Sequence, residues 1–170
     1  MIILKISKDH LLAIGSSAGR VRNATELLDL STLKWETRAP FPFESRVYRA
    51  PVINVAERFM LFGGDSGSTT LSRIVAYRPG ENKWTIEGDL LTPRYSHGVI
   101  TVSSSSNEDE DYGGFLIIGG HLALGSDQEN KSEKCQYSNN GDQLECAYQN
   151  PTQPKCEYAY TYTCVLMSVC

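Results

Sequence analysis

Reactive side chains are few in this 170-residue chain, and they are unevenly spread. All five cysteines, Cys135, Cys146, Cys156, Cys164 and Cys170, fall within the last 36 residues. Thiols so placed could pair as disulfides, ligate a metal or act as nucleophiles. Their intervals of 11, 10, 8 and 6 residues contain no close C-x₂₋₄-C pair, which argues against a structural zinc site. Clustering in a short tail fits a disulfide framework instead, with Cys135, Cys146, Cys156 and Cys164 as candidates and Cys170 as the odd one out. The connectivity stays open at this point.

The remaining reactive groups do not converge. His10, His97 and His121 lie far apart, without metal-ligand spacing. The one carboxylate run, Glu108-Asp109-Glu110-Asp111, follows four serines and lacks the spaced oxygens and turn glycine of a calcium loop. It reads as a solvated loop. No Ser-His-Asp order and no phosphate-binding glycine loop is present. The expectation is a chain with no catalytic residue, no cofactor and no metal.

Charge and composition narrow the partners. A net charge of −4 gives no basic footprint for nucleic acid. No apolar run approaches the length of a membrane span, and Lys5, Lys8 and Asp9 interrupt the start before it could serve as a signal-peptide core. Two glycosylation sequons, Asn23-Ala24-Thr25 and Asn130-Lys131-Ser132, accompany the clustered cysteines, whereas Asn150 is followed by proline. Together they favour a secreted protein or the extracellular side of the cell surface, with the cytoplasm as the alternative.

The elements that must position these residues announce themselves by repetition. Leu11-Leu12-Ala13-Ile14-Gly15-Ser16, Met60-Leu61-Phe62-Gly63-Gly64 and Leu116-Ile117-Ile118-Gly119-Gly120 carry the same text. Trp35 and Trp84 lie 49 residues apart, and Gly15 and Gly63 lie 48 apart. A period near 50 with four short apolar segments predicts four-stranded β-blades that need neighbours to bury their faces. Strands are expected at 2–6, 10–14, 25–30 and 34–37, at 49–55, 58–62, 73–77 and 83–87, and at 95–102, 115–118, 133–137 and 143–148. The blades then span about 1–40, 41–88 and 89–150, and the Cys- and Tyr-rich segment 151–170 could open a further one.

The Gly-Gly doublet, the Tyr77/Trp84 pair and the segment Arg94-Tyr95-Ser96-His97-Gly98 together resemble the kelch repeat, closely over about residues 1–125 and loosely beyond. The resemblance implies an all-β, partial kelch-type β-propeller of about three four-stranded antiparallel blades. It implies binding more often than catalysis. The function expected is a non-enzymatic protein- or glycan-binding module of a secreted or surface protein, a fragment of a larger propeller that missing sequence or a second copy would complete. A cytosolic kelch substrate adaptor and a fragment of a galactose-oxidase-like copper radical oxidase are the alternatives. Within the repeat, Cys135 and Cys146 stand where Leu28/Trp35 and Tyr77/Trp84 stand in the earlier blades, so a cross-strand disulfide is expected to replace that apolar pair. Arg46 and Arg94 are read as matching residues that hold one blade to the next, and His97 as aligned with Arg49. Gly15, Gly63, Gly64, Gly119, Gly120, Trp35, Tyr77 and Trp84 define the repeat.

Overall fold

The structure is a computed structural model that describes residues 1–15, 22–43, 46–102, 114–122, 132–138 and 143–149. Strands β1 (Ile2–Lys5), β2 (His10–Ile14), β3 (Thr25–Asp29) and β4 (Lys34–Thr37) form one antiparallel meander. A second comprises β5 (Val52–Val55), β6 (Arg58–Asp65), β7 (Thr70–Arg78) and β8 (Lys83–Asp89). The third comprises β9 (Gly98–Val102), β10 (Gly114–Ile118), β11 (Glu133–Tyr137) and β12 (Leu144–Tyr148). The architecture is all-β, with three four-stranded antiparallel blades in the manner of a partial propeller. The Ser/acidic run 103–111, the sequon at Asn130 and the cysteines Cys156, Cys164 and Cys170 lie outside the described residues.

Blade two is the middle layer, and its strands are apolar on both faces for that reason. Met60 and Phe62 share a core with Phe115, Ile117 and Cys135 of blade three. Leu61, Val75 and Tyr77 point the other way, into a core shared with Leu12, Ile14 and Leu27 of blade one. Strand side chains alternate between faces, so one continuous apolar run feeds two cores. Each such side chain, fully buried, contributes roughly 1.5–3 kcal/mol.

Every blade thus has a forward face, toward the next blade, and a rear face, toward the one before. Counted back from Gly15, Gly63 and Gly119, the forward positions hold Leu12/Ile14, Met60/Phe62 and Leu116/Ile118. The rear positions hold directly opposed cross-strand pairs: Leu28 with Trp35, Tyr77 with Trp84, Cys135 with Cys146. In blade two the rear pair grips the connector leaving blade one. Trp84 stacks edge-on with Phe41 at 5.1 Å and donates its Nε1–H to the Ala39 carbonyl at 3.0 Å.

Two seams differ in kind. Blades two and three join into one eight-stranded sheet, because β8 and β12 pair in parallel at Gly88 and Leu144. A side chain at residue 88 would collide with the Leu144 backbone, so glycine permits the seam. Among the described residues, no strand of blade one pairs with a strand of blade two.

The first strands of blades two and three start later than the apolar pattern predicts. Arg49 (φ 51°) and Ser96 (φ 53°) both adopt the left-handed region, which breaks the extended run. Tyr48 pairs instead with Asp65, and Tyr95 with His121, as isolated antiparallel bridges beyond the glycine doublets.

Candidate binding site at the glycine-doublet rim

Those two bridges set the register that builds the site. They equate Tyr48 with Tyr95, hence Arg49 with Ser96, Val47 with Arg94 and Ala50 with His97. The glycines agree. A Cβ on Gly15 would sit 3.4 Å from the Val47 nitrogen, and one on Gly63 would sit 2.7 Å from the Arg94 carbonyl. The match of Arg46 with Arg94, and of Arg49 with His97, is therefore corrected by one residue. The strand ladders agree with the bridges, since Val52 opposite Leu61 and Val99 opposite Ile117 follow Tyr48 and Tyr95 at the same interval.

Arg94 does join two blades, because its backbone bonds to Gly64 and Leu71 of blade two while its side chain reaches Glu133 and Gly119 of blade three. Its side chain is 0% exposed, as is Glu133. Its Nη2 donates to Glu133 Oε1 at 2.7 Å, while Nη1 donates to the Gly119 carbonyl at 2.8 Å. The carboxylate also accepts the backbone N–H groups of Leu91 at 2.8 Å and Thr92 at 3.1 Å. A buried ion pair persists when its remaining donors and acceptors are filled in this way. Arg46, by contrast, has a buried Nε without a partner, since the position it would need is filled by Val47.

Above this lock the rim carries a ladder of planar groups from both blades. Asp65, 5% exposed, ion-pairs with Arg49 at 2.7 Å. The Arg49 guanidinium lies 4.5 Å from the centre of the Tyr95 ring, and His121 stacks on that same ring at 5.2 Å. Asp65 and His121 are equivalent residues, each following its glycine doublet. Arg49 and His121 are exposed while Tyr95 is buried beneath them. The arrangement is a buried aromatic ring that holds two exposed nitrogen-bearing groups in place, suited to charge-assisted hydrogen bonding.

His97 sits below, 6% exposed, and both its ring nitrogens are buried without partners. Burial, followed by the nearby Arg94 charge, pulls its pKa down to about 4, so the ring is neutral at pH 7. Gly120 passes directly over it: a Cβ there would stand 2.6 Å from the His97 Cβ.

The far end of the same seam has a second lock. Glu87 accepts from Arg58 Nη1 and from the Tyr137 hydroxyl, each at 3.2 Å, and from Thr85 Oγ1 at 2.6 Å. Burial, opposed in part by Arg58 and reinforced by Glu87, pushes the Tyr137 phenol up to about 12.

Cys135 and Cys146 are bonded to each other across β11 and β12, with 11 residues of separation. Glu133 brings a carboxylate within 4.8 Å of their sulfurs. That trio offers no ligand set, because the sulfurs bond each other and Glu133 already serves Arg94, Leu91 and Thr92. Asn23 is partly buried, its Nδ2 donating to the Phe41 carbonyl at 3.2 Å, and Thr25 of the same sequon is 0% exposed. Asp65 and Glu133 were not singled out by sequence, and Arg49 and Tyr95 entered only as parts of the repeat. The residue after each glycine doublet was the available signal for the rim.

No protein-family model matches the chain, and no curated protein matches it.

Proposed function

We propose that this chain is a non-enzymatic binding module of kelch type, from a secreted or cell-surface protein, whose glycine-doublet rim takes a protein or glycan ligand. The observation that carries the reading is the Asp65–Arg49–Tyr95–His121 ladder. It is built on two blades locked by Arg94 and Glu133, so the platform is set before a ligand arrives. Preorganisation of this kind lowers the ordering cost of binding. Loops on a rigid scaffold are the usual place for such a site. Arg49 and His121 favour ligands carrying a carboxylate or sulfate, presented on an acidic peptide or an acidic glycan.

The disulfide between Cys135 and Cys146, with Cys135 buried and Cys146 partly so, supports an oxidising compartment for the folded protein. A cytosolic adaptor would keep those thiols reduced. Mass measurement with and without reductant and deglycosylating enzyme separates the two readings.

The test of the site is a binding screen against acidic and neutral glycans and acidic peptides, with Arg49→Ala and His121→Ala alongside. Acidic members should bind, and each substitution should weaken them about tenfold, the effect of one charge-assisted hydrogen bond. Binding untouched by both substitutions would refute the rim as the site. Substrate turnover or stoichiometric copper uptake would refute the module reading itself.

A further inference from the structure

We propose that the rear face of blade one docks onto the forward face of blade three in a second copy of this chain, so that two copies close a six-bladed ring head to tail. The chain already displays this junction twice, between blades one and two and between blades two and three. Among the described residues two faces stay uncovered, and they are the two halves of a third.

The forward face of blade three holds Leu116 and Ile118 where blades one and two hold the core residues Leu12/Ile14 and Met60/Phe62. Ile118 is 45% exposed and Ile100 53% exposed, although the residues equivalent to them, Phe62 and Ile53, belong to a core. The rear face of blade one holds Leu28 and Trp35 where blade two has Tyr77 and Trp84. Trp35 is 56% exposed and Ile3 55%, whereas Tyr77 is 1% exposed and Trp84 packs against Phe41. Apolar side chains gathered on one face, unlike singly exposed ones, mark an interaction surface.

Charge selects the occupant. In the junction of blades one and two, Leu27 on the forward face and Val75 on the rear face share one core. The register places Lys134 at the position of Leu27 and Glu26 at the position of Val75. An apolar pair inside the chain thus becomes a lysine on one end face and a glutamate on the other. Opposite charges at facing positions favour this pairing and disfavour either face against itself. Blade three also has an open hollow of about 510 Å³ on its outer strands, with Lys134, Gln136, Glu145 and Ala147 among its lining residues. Head-to-tail faces give a closed ring when the rotation closes. Six blades lie within the usual propeller range of about four to eight.

Sedimentation equilibrium of the intact oxidised chain over micromolar concentrations is the direct test, with a non-reducing denaturing gel to exclude cross-linked dimers. The expected result is a reversible species at twice the 18.9 kDa chain mass, with Trp35 shielded from iodide quenching as it forms. Trp35→Asp should leave only monomer. Lys134→Glu should weaken association at least tenfold, and adding Glu26→Lys should restore it; far-UV circular dichroism confirms that each variant is folded. The proposal is overturned by a monomer at all concentrations, by an open polymer, by a dimer indifferent to Trp35→Asp, or by failure of the charge swap to restore association.

Discussion

Replacing Glu133 with glutamine tests the reasoning about the blade seam most sharply. The substitution keeps the side chain's shape and one acceptor oxygen. It removes the negative charge that faces Arg94, which is 0% exposed and has its Nη2 only 2.7 Å away. It also turns an acceptor into an NH₂ group in a site crowded by three donors, the Arg94 guanidinium and the N–H groups of Leu91 and Thr92. Stranding one partner of a buried pair costs about 3–5 kcal/mol. A domain of this size holds roughly 5–15 kcal/mol in all. With a urea slope of about 2 kcal/mol per molar, the unfolding midpoint should fall by roughly 2 M. The companion Arg94→Met/Glu133→Gln removes the stranded cation as well. It leaves the Gly119 carbonyl without its 2.8 Å donor, worth about 1–3 kcal/mol. The double variant should therefore be no less stable than Glu133→Gln alone, and the two losses should be far from additive. A midpoint unchanged in Glu133→Gln, or strict additivity in the cycle, would refute the pair as the lock between blades two and three.

Acid should destabilise the fold through His97, whose pKa is depressed from 6.5 to about 4. The unfolded chain takes up the proton first, so stability present above pH 6.5 is lost as pH falls through about 4, by up to about 3 kcal/mol; His97→Leu should flatten that limb in pH-dependent urea titrations. Reducing Cys135–Cys146, or Cys146→Ser, should lower stability by about 2–3 kcal/mol because the bond closes a short loop, and differential thermal melts with and without reductant measure it. Gly64→Ala should lose more than about 1 kcal/mol, since φ is +104° and the new Cβ would lie 2.7 Å from the Tyr48 carbonyl, whereas Gly80→Ala, with open space around it, should lose less than half as much in the same chemical denaturation.

The blades were legible in the sequence because their cause is local. Leu11–Ile14, Phe59–Phe62 and Phe115–Ile118 alternate into two cores, and that requirement writes an apolar run followed by glycine each time. The Cys135–Cys146 pairing was legible for the same reason, as a substitution at one fixed position of the repeat. The rim was not. Arg49, Asp65, Tyr95 and His121 meet through two single-residue bridges that depend on left-handed backbone at Arg49 and Ser96. Neither residue is a glycine, so composition gave no cue, and aligning the arginines instead of the strands displaced the motif by one. The partner of Arg94 was equally hidden, because Glu133 lies 39 residues away on a later strand.

The contrast between the two seams has a mechanical meaning. Blades two and three are stitched by backbone pairing at Gly88 and Leu144 and clamped at both ends, by the Arg94–Glu133 pair and by the Tyr137 hydroxyl on Glu87. Blade one is attached by side-chain packing, by the connecting chain and by the two hydrogen bonds that Trp84 and Asn82 make to Ala39. Packed faces slide and part under small loads, while a hydrogen-bonded sheet resists until its bonds break together. Stretched from its ends, the molecule would yield first between Leu27 and Val75, releasing blade one as an intact panel while the eight-stranded sheet held. The array is thus a stiff plate with one leaf hinged to it.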